Sequence, residues 1–184
     1  MRFQVLVTAA ALTLGVSTST SALAGGGNSW GTASDVLALG LPALAAGAAW
    51  AQNDSDGMKS LTYALGSTYA ATTVLKKSIH ATRPDGSDNE SFPSGHTALA
   101  FAAARFIDKR YGADVAAYTP WLYAAAGLTG VARVQANQHR VQDVLAGAAL
   151  GYATAHYFTE PVKGGQLSLM PTPGGAAVAW HRSF

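Results

Sequence analysis

The hydrophobic pattern divides most of the chain into five long apolar segments, separated by short polar or helix-breaking stretches. The segments cover about 34–51, 58–80, 94–110, 117–135 and 139–158. Alanine and leucine, which have high helix propensity, dominate all five, so each segment is predicted to be an α-helix. The sequence shows no alternation of strands with helices and no internal repeat. It therefore predicts an all-α bundle of about five core helices.

The N-terminal 24 residues differ from these segments. Arg2 is followed by an apolar run and then by a Ser/Thr stretch that ends on Ala22-Leu23-Ala24, a small-x-small sequence that signal peptidases accept. Because the run is short for a membrane span, a cleaved secretory signal peptide over 1–24 is favoured over an uncleaved first membrane helix. The helical domain is then expected over 25–160, in a protein exported to the periplasmic side of the cell envelope.

The C-terminal region, 161–184, differs from the five apolar segments. Two short apolar runs lie on either side of Pro171-Thr172-Pro173-Gly174-Gly175, and proline and glycine favour turns. This arrangement is typical of two strands joined by a turn. A small β-hairpin is predicted here, with a C-terminal tail as the alternative.

Composition and charge narrow the classes of function. Of the 184 residues, 49% are hydrophobic and only 12% are charged, which excludes an intrinsically disordered chain. The 12 basic and 10 acidic residues give a net charge of +2, which argues against a nucleic-acid-binding protein with a basic stripe. The absence of cysteine excludes a disulfide scaffold, a Cys-ligated zinc site and a thiol nucleophile. A mean hydropathy of +0.15 leaves open whether the helices span a membrane.

The informative basic and imidazole side chains lie at the ends of the predicted helices. They are Lys76 and Arg83-Pro84 at the end of the second helix, Pro93-Ser94-Gly95-His96 at the start of the third, Arg133 at the end of the fourth, and His139 with Asp143 at the start of the fifth. In an up-and-down bundle with short connections, the end of one helix and the start of the next share a face. We therefore expect all of these groups to converge at one end of the bundle.

Such a convergence has the chemistry of a phosphate site with its own nucleophile. Guanidinium and ammonium groups, together with the N–H groups of a helix N-terminus, bind phosphate oxygens. The spacing of His139 and Asp143 places them on one face of a helix, where the carboxylate can accept the Nδ1 proton and leave Nε2 free to attack. On the opposite side, His96 is expected to donate a proton to the leaving alkoxide. The pattern thus indicates phosphoryl transfer.

In sequence order, these groups resemble the three signature motifs of the type 2 phosphatidic acid phosphatase and vanadium haloperoxidase superfamily. The motifs read Lys76, six residues, Arg83-Pro84; Pro93-Ser94-Gly95-His96; and Arg133, five residues, His139, three residues, Asp143. One motif alone would be weak, but three in order with these spacings are specific. The resemblance covers residues 76–143, with helical segments on both sides.

The resemblance implies a role for each site residue. His139 would form a phosphohistidine, Asp143 would orient it, and His96 would protonate the leaving group. The phosphoryl oxygens would be held by Lys76, Arg83, Ser94, the Gly95 amide and Arg133. No metal ion or other cofactor would be needed. One position departs from the family pattern, since Ala132 stands where the third motif usually has serine. We expect the missing hydroxyl to tune binding or rate rather than abolish turnover.

The function expected from the resemblance is hydrolysis of phosphomonoesters or lipid (pyro)phosphates at a membrane surface, with no nucleic-acid partner. Three alternatives stay open: a soluble nonspecific acid phosphatase, a haloperoxidase with vanadate in the same site, and a non-catalytic protein that binds phosphorylated lipids. The last is disfavoured by His96, His139 and Asp143, because binding needs cations but neither a nucleophile nor an acid. The acidic residues Asp85, Asp88 and Glu90 match no metal-binding motif and are expected in a solvated loop.

Overall fold

The computed structural model describes residues 28–162, 165–172 and 175–182, so the predicted signal peptide lies outside the described residues. Five helices follow one another: α1 (Asn28–Ala51), α2 (Ser55–Ile79), α3 (Gly95–Tyr111), α4 (Thr119–Gln135) and α5 (Val141–Phe158). A short 3₁₀ turn, Gly112–Val115, follows α3. The prediction of an all-α bundle of five helices is confirmed. Helix α1 begins before the predicted position, and α5 begins two residues after it.

The C-terminal region contains two antiparallel strands, β1 (Gly165–Thr172) and β2 (Gly175–Arg182). They pair in register from Gly165 opposite Arg182 to Thr172 opposite Gly175. Of the two alternatives for this region, the structure therefore contains the two paired strands of the hairpin.

Helix α3 is the centre of the bundle and packs against each of the other four helices. Its alanine-rich faces are fully buried, and Phe106 is the largest buried side chain among them. The closest approach is to α5, where a Cβ on Gly151 would lie 1.9 Å from the Ala98 carbonyl oxygen, and a Cβ on Gly147 would lie 2.4 Å from that of Ser94. The two backbones therefore touch, which holds the first turn of α3 beside the second and third turns of α5.

The other end of the bundle contains a largely buried ion pair. Asp54 caps the N-terminus of α2 by accepting a hydrogen bond from the Gly57 N–H at 2.9 Å. The same carboxylate pairs with Arg110 in the last turn of α3, at 2.5 Å between Nη2 and Oδ1. The short α1–α2 connection and the end of α3 therefore meet here, and the α2–α3 and α4–α5 connections meet at the opposite end.

The outer faces of the helices carry many exposed large apolar side chains. Among the residues described they include Leu39, Trp50, Trp121, Leu145 and Tyr157. Within the same part of the chain, a single helix, over Ser29–Ala51, is both long enough and apolar enough to cross a membrane. An apolar surface of this extent on a monomer is typical of proteins that contact another apolar phase or partner.

Candidate active site

The predicted site residues meet at one end of the bundle, as expected. The Ser94 N–H donates to the backbone carbonyl of Asp143 at 2.9 Å, which ties the start of α3 to the start of α5. The His139 N–H donates to the carbonyl of Arg133 at 3.3 Å, which holds the α4–α5 connection against the end of α4. The connection between α2 and α3, residues 80–94, covers the same end. It carries Arg83 and begins with the exposed His80, whose left-handed backbone ends α2.

His139 does not lie on α5, and this corrects the prediction that it shares a helix face with Asp143. The helix begins at Val141, after Arg140 in an extended conformation, and Asp143 accepts a hydrogen bond from the Arg140 N–H at 2.8 Å. Because this capping interaction starts the helix at 141, His139 belongs to the preceding turn. Its Nδ1 lies 3.8 Å from Oδ2 of Asp143, close enough for charge attraction but too long for a hydrogen bond.

The environment of His139 keeps its imidazole neutral. The side chain is almost completely buried. Burial and, after it, the positive charges of Arg133, Arg83 and Lys76 lower its pKa to about 3. A neutral imidazole keeps one ring nitrogen with a free lone pair, which is the form that can attack phosphorus. These cations also identify the place where a phosphate dianion would be most stable.

Asp143 is held rigidly beside His139. It is fully buried, and its Oδ2 accepts hydrogen bonds from the Ser91 hydroxyl at 2.5 Å and from the Arg140 N–H. Ser91 was not predicted from the sequence. Because the contact joins residues 52 positions apart, no local spacing marks it. A buried carboxylate with fixed donors is an effective counter-charge for a histidine that becomes positive during a reaction.

The three predicted phosphate-binding cations are present, and each has an oxygen partner. Arg83 Nε donates to Asp88 Oδ1 at 2.7 Å, and Lys76 Nζ donates to the carbonyl of Glu90. Arg133 is buried, and its Nη1 donates to Ser34 and Asp35. Burial and then repulsion by Arg83 lower the pKa values of Lys76 and Arg133. Such mutual repulsion favours binding of a multiply charged anion.

The start of α3 supplies the neutral part of the site. The hydroxyl of Ser94 lies 3.0 Å from that of Thr97, and both residues are fully buried. Gly95 is the first residue of the helix, and nothing lies within 4 Å of the position that a Cβ would take there. The N–H groups of a first helical turn have no partner within the helix and can donate to an anion.

His96 follows directly and pairs with a residue that was not predicted. Its Nε2 lies 3.0 Å from Oδ1 of Asp35, on α1. Burial, followed by the charge of Arg133, lowers the pKa of His96, whereas Asp35 acts in the opposite direction. One sequence signal could have found Asp35, since it is the only charged residue in the 24 residues of α1.

Two further predictions concern residues at the edge of the site. Asp88 accepts hydrogen bonds from Arg83 Nε and from the Glu90 N–H, so both of its partners lie within the 80–94 connection. Ala132 is buried beside Arg133, and the expectation that it tunes turnover stays a prediction.

Two solved structures share this fold. A phosphatidylglycerolphosphate phosphatase of Bacillus subtilis, described as a transmembrane PAP2-type enzyme, is 26% identical with a TM-score of 0.56, over 72% of this chain and 74% of that one. LpxE of Aquifex aeolicus is 23% identical with a TM-score of 0.52, over 67% of this chain and 84% of that one, a likeness of fold alone.

Curated relatives are similar over part of their length. A lipid A 1-phosphatase of Porphyromonas gingivalis is 45% identical over 76 residues, 41% of this chain and 17% of the relative. A lipid A 4'-phosphatase of Helicobacter pylori is 37% identical over 93 residues, 50% of this chain and 44% of the relative. The chain thus spans less than half of these two relatives. A family model described as the PAP2 superfamily matches residues 57–163, which contain every predicted site residue. On this match and the shared fold, the chain belongs to the PAP2 superfamily.

Proposed function

We propose that the protein is a phosphatase that hydrolyses lipid phosphate monoesters through a phosphohistidine on His139. The observation that carries this proposal is the combination at one end of the bundle of a neutral, buried histidine, a fixed carboxylate beside it and three cations around it. A site that only bound phosphorylated lipids would need the cations and not the nucleophile. The intact set of nucleophile, carboxylate and acid favours an enzyme over a binding protein.

The reaction follows from the roles of the site residues. Nε2 of His139 attacks phosphorus, the bond from phosphorus to the ester oxygen breaks, and His96 gives that oxygen its proton. Asp143 stabilises the positive charge that develops on His139. A water molecule then gives a proton to His96 and attacks the phosphohistidine, which releases inorganic phosphate and restores His139. The oxygens of the transferred group are held by Lys76, Arg83, Arg133, the Ser94 hydroxyl and the Gly95 N–H.

A lipid substrate is supported by the surface of the bundle and by the relatives. The exposed apolar side chains and the apolar helix α1 favour association with a membrane, where a lipid phosphate would enter the site from the headgroup region. Relatives named as phosphatases of lipid A and of phosphatidylglycerolphosphate make these two lipid classes the first to test. We place the reaction at the periplasmic side of the cell envelope, because residues 1–24 have the pattern of an export signal.

The test is release of phosphate by the purified protein from a panel of lipid A, phosphatidylglycerolphosphate, phosphatidic acid and water-soluble phosphate esters, with and without a chelator. We expect release from at least one lipid phosphate at a rate that the chelator leaves unchanged. Faster turnover of the water-soluble esters would favour the alternative of a nonspecific acid phosphatase. Binding of the lipids without release from any of them would contradict the proposal.

The pH dependence of kcat/KM is expected to have an acidic optimum. The free enzyme needs neutral His139 and protonated His96. Activity should therefore rise as His139 loses its proton near pH 3 and fall as His96 loses its own, below the usual histidine value of 6.5. The measurement is the initial rate as a function of pH in a series of overlapping buffers. An optimum above pH 6.5, the usual histidine value, would contradict these protonation states.

A further inference from the structure

Helix α1 contributes a carboxylate to the candidate active site although it lies outside the residues that the family model matches, 57–163. Oδ1 of Asp35 lies 3.0 Å from Nε2 of His96 and 3.4 Å from Nη1 of Arg133. The neighbouring Ser34 is fully buried and accepts a hydrogen bond from the same Arg133 nitrogen at 3.2 Å. One turn of α1 therefore contacts the groups proposed to protonate the leaving oxygen and to hold the phosphate.

Asp35 occupies the Nε2 side of the His96 ring, which leaves Nδ1 as the nitrogen that can face a substrate. A carboxylate has no hydrogen to donate, so the Asp35 oxygen at 3.0 Å favours the hydrogen on Nε2 of His96. The proton for the leaving group then comes from Nδ1 of a doubly protonated ring. Catalytic histidines are commonly arranged in this way: one ring nitrogen contacts a carboxylate that orients the ring, and the other nitrogen transfers the proton.

The charges around His96 explain why such a partner is needed. Titratable and charged groups from every neighbouring element lie at this end of α3: Lys76 from α2, Arg83 from the α2–α3 connection, Arg133 from α4, His139 from the α4–α5 connection, Asp143 from the first turn of α5, and Asp35 from α1. Asp143 is engaged by Ser91 and Arg140. The three cations oppose a positive charge on His96, and Asp35 is the carboxylate in contact with its ring.

We propose that Asp35 is the positioning residue of His96: it accepts the Nε2 hydrogen, keeps the imidazole protonated among three cations and directs Nδ1–H toward the leaving oxygen. This inference rests on the proposed phosphatase reaction. It assigns to α1 a part in catalysis, because the bundle without this helix would lack the group that holds the acid in its reactive form.

The kinetic test compares a substrate that needs an acid with one that does not. An alkyl phosphate requires protonation of its poor leaving group, whereas p-nitrophenyl phosphate does not. Asp35→Asn is expected to lower kcat for the alkyl phosphate by about 10-fold to 100-fold and to change kcat for p-nitrophenyl phosphate by less than about threefold. Asp35→Glu, which keeps a carboxylate, should recover part of the loss. Equal losses on both substrates would overturn the proposal.

Ser34→Ala is the matched control, since Ser34 accepts a hydrogen bond from Arg133 and, among the described residues, no hydrogen bond joins it to His96. Its effect should be equal on the two substrates. If Asp35 instead occupies the phosphate position as an internal anion, Asp35→Asn would lower the KM and the inhibition constant of inorganic phosphate without any dependence on the leaving group. That result would also overturn the proposal.

A second measurement separates this inference from the proposed function. NMR titration of the His96 imidazole, assigned by the loss of its signal in His96→Gln, needs no turnover. In Asp35→Asn we expect the titration midpoint to fall by about one pH unit. If the wild type released no phosphate from any substrate, the phosphatase proposal would fail, and the titration would still decide the pairing: an unchanged midpoint overturns it.

Discussion

His139→Ala is expected to lower kcat for phosphate release by at least about 1,000-fold, the largest effect of any single substitution in the site. The variant removes the nitrogen that attacks phosphorus, and the alanine side chain has no nucleophilic atom to replace it. Water would have to attack the phosphate ester directly, because the reaction could no longer proceed by formation of a phosphohistidine followed by its hydrolysis. The measurement is kcat on the best substrate of the panel, with binding of the substrate determined separately.

The matched control is His156→Ala. His156 lies in the last turn of α5, and Arg105 contacts its Nδ1 at 2.8 Å. This variant removes a histidine from the same part of the chain without touching the site, so we expect kcat within about threefold of the wild type. Comparable losses in both variants would mean that His139 acts through the fold rather than as the nucleophile.

Gly151→Ala is expected to cost about 3 kcal/mol or more of the free energy of unfolding. The added Cβ would lie 1.9 Å from the carbonyl oxygen of Ala98 and 2.7 Å from its carbon. Both atoms belong to the backbone of α3 and cannot rotate away, so α5 would have to move outward. This movement would also separate Ser94 from Asp143, which lie on the same two helices nearer the site. Thermal and chemical unfolding measure the loss of stability, and kcat should fall with it.

Gly66→Ala is the control for the change of residue type. Gly66 is exposed in the interior of α2, and a Cβ there would meet nothing within 4 Å. Alanine is the better helix former, so this variant should gain about 0.5–1 kcal/mol. A neutral Gly151→Ala would contradict the close contact of α3 with α5, on which the geometry of the site depends.

The helices and the convergence of the site could be predicted because both depend on local patterns. Runs of alanine and leucine between breakers indicate helices, and short connections require that consecutive helix ends share a face. Lys76, Arg83, Arg133 and the residues of the Ser94-Gly95-His96 segment therefore had to lie at one end. The resemblance to a known family added the roles, which spacing alone does not supply.

The parts that could not be predicted depend on contacts between distant residues. The apolar segment over 139–158 predicts a helix that begins at His139, but Asp143 caps the helix by accepting a hydrogen bond from the Arg140 N–H, so α5 begins two residues later, at Val141. Ser91 reaches Asp143 across 52 positions, and Asp35 reaches Arg133 across 98. Only the packing of α1 and of the 80–94 connection against the bundle brings these side chains to the site.

The most direct test of the proposed reaction is to trap the phosphorylated enzyme. The protein is mixed with a labelled phosphate ester, quenched in alkali within one turnover, digested and sequenced by mass spectrometry, since phosphohistidine survives alkali and is lost in acid. The account predicts a phosphoryl group on His139, absent in His139→Ala and accumulating when hydrolysis is slowed. Phosphorylation of another residue, or turnover of the wild type with no phosphorylated protein in a quench shown to preserve phosphohistidine, would contradict it.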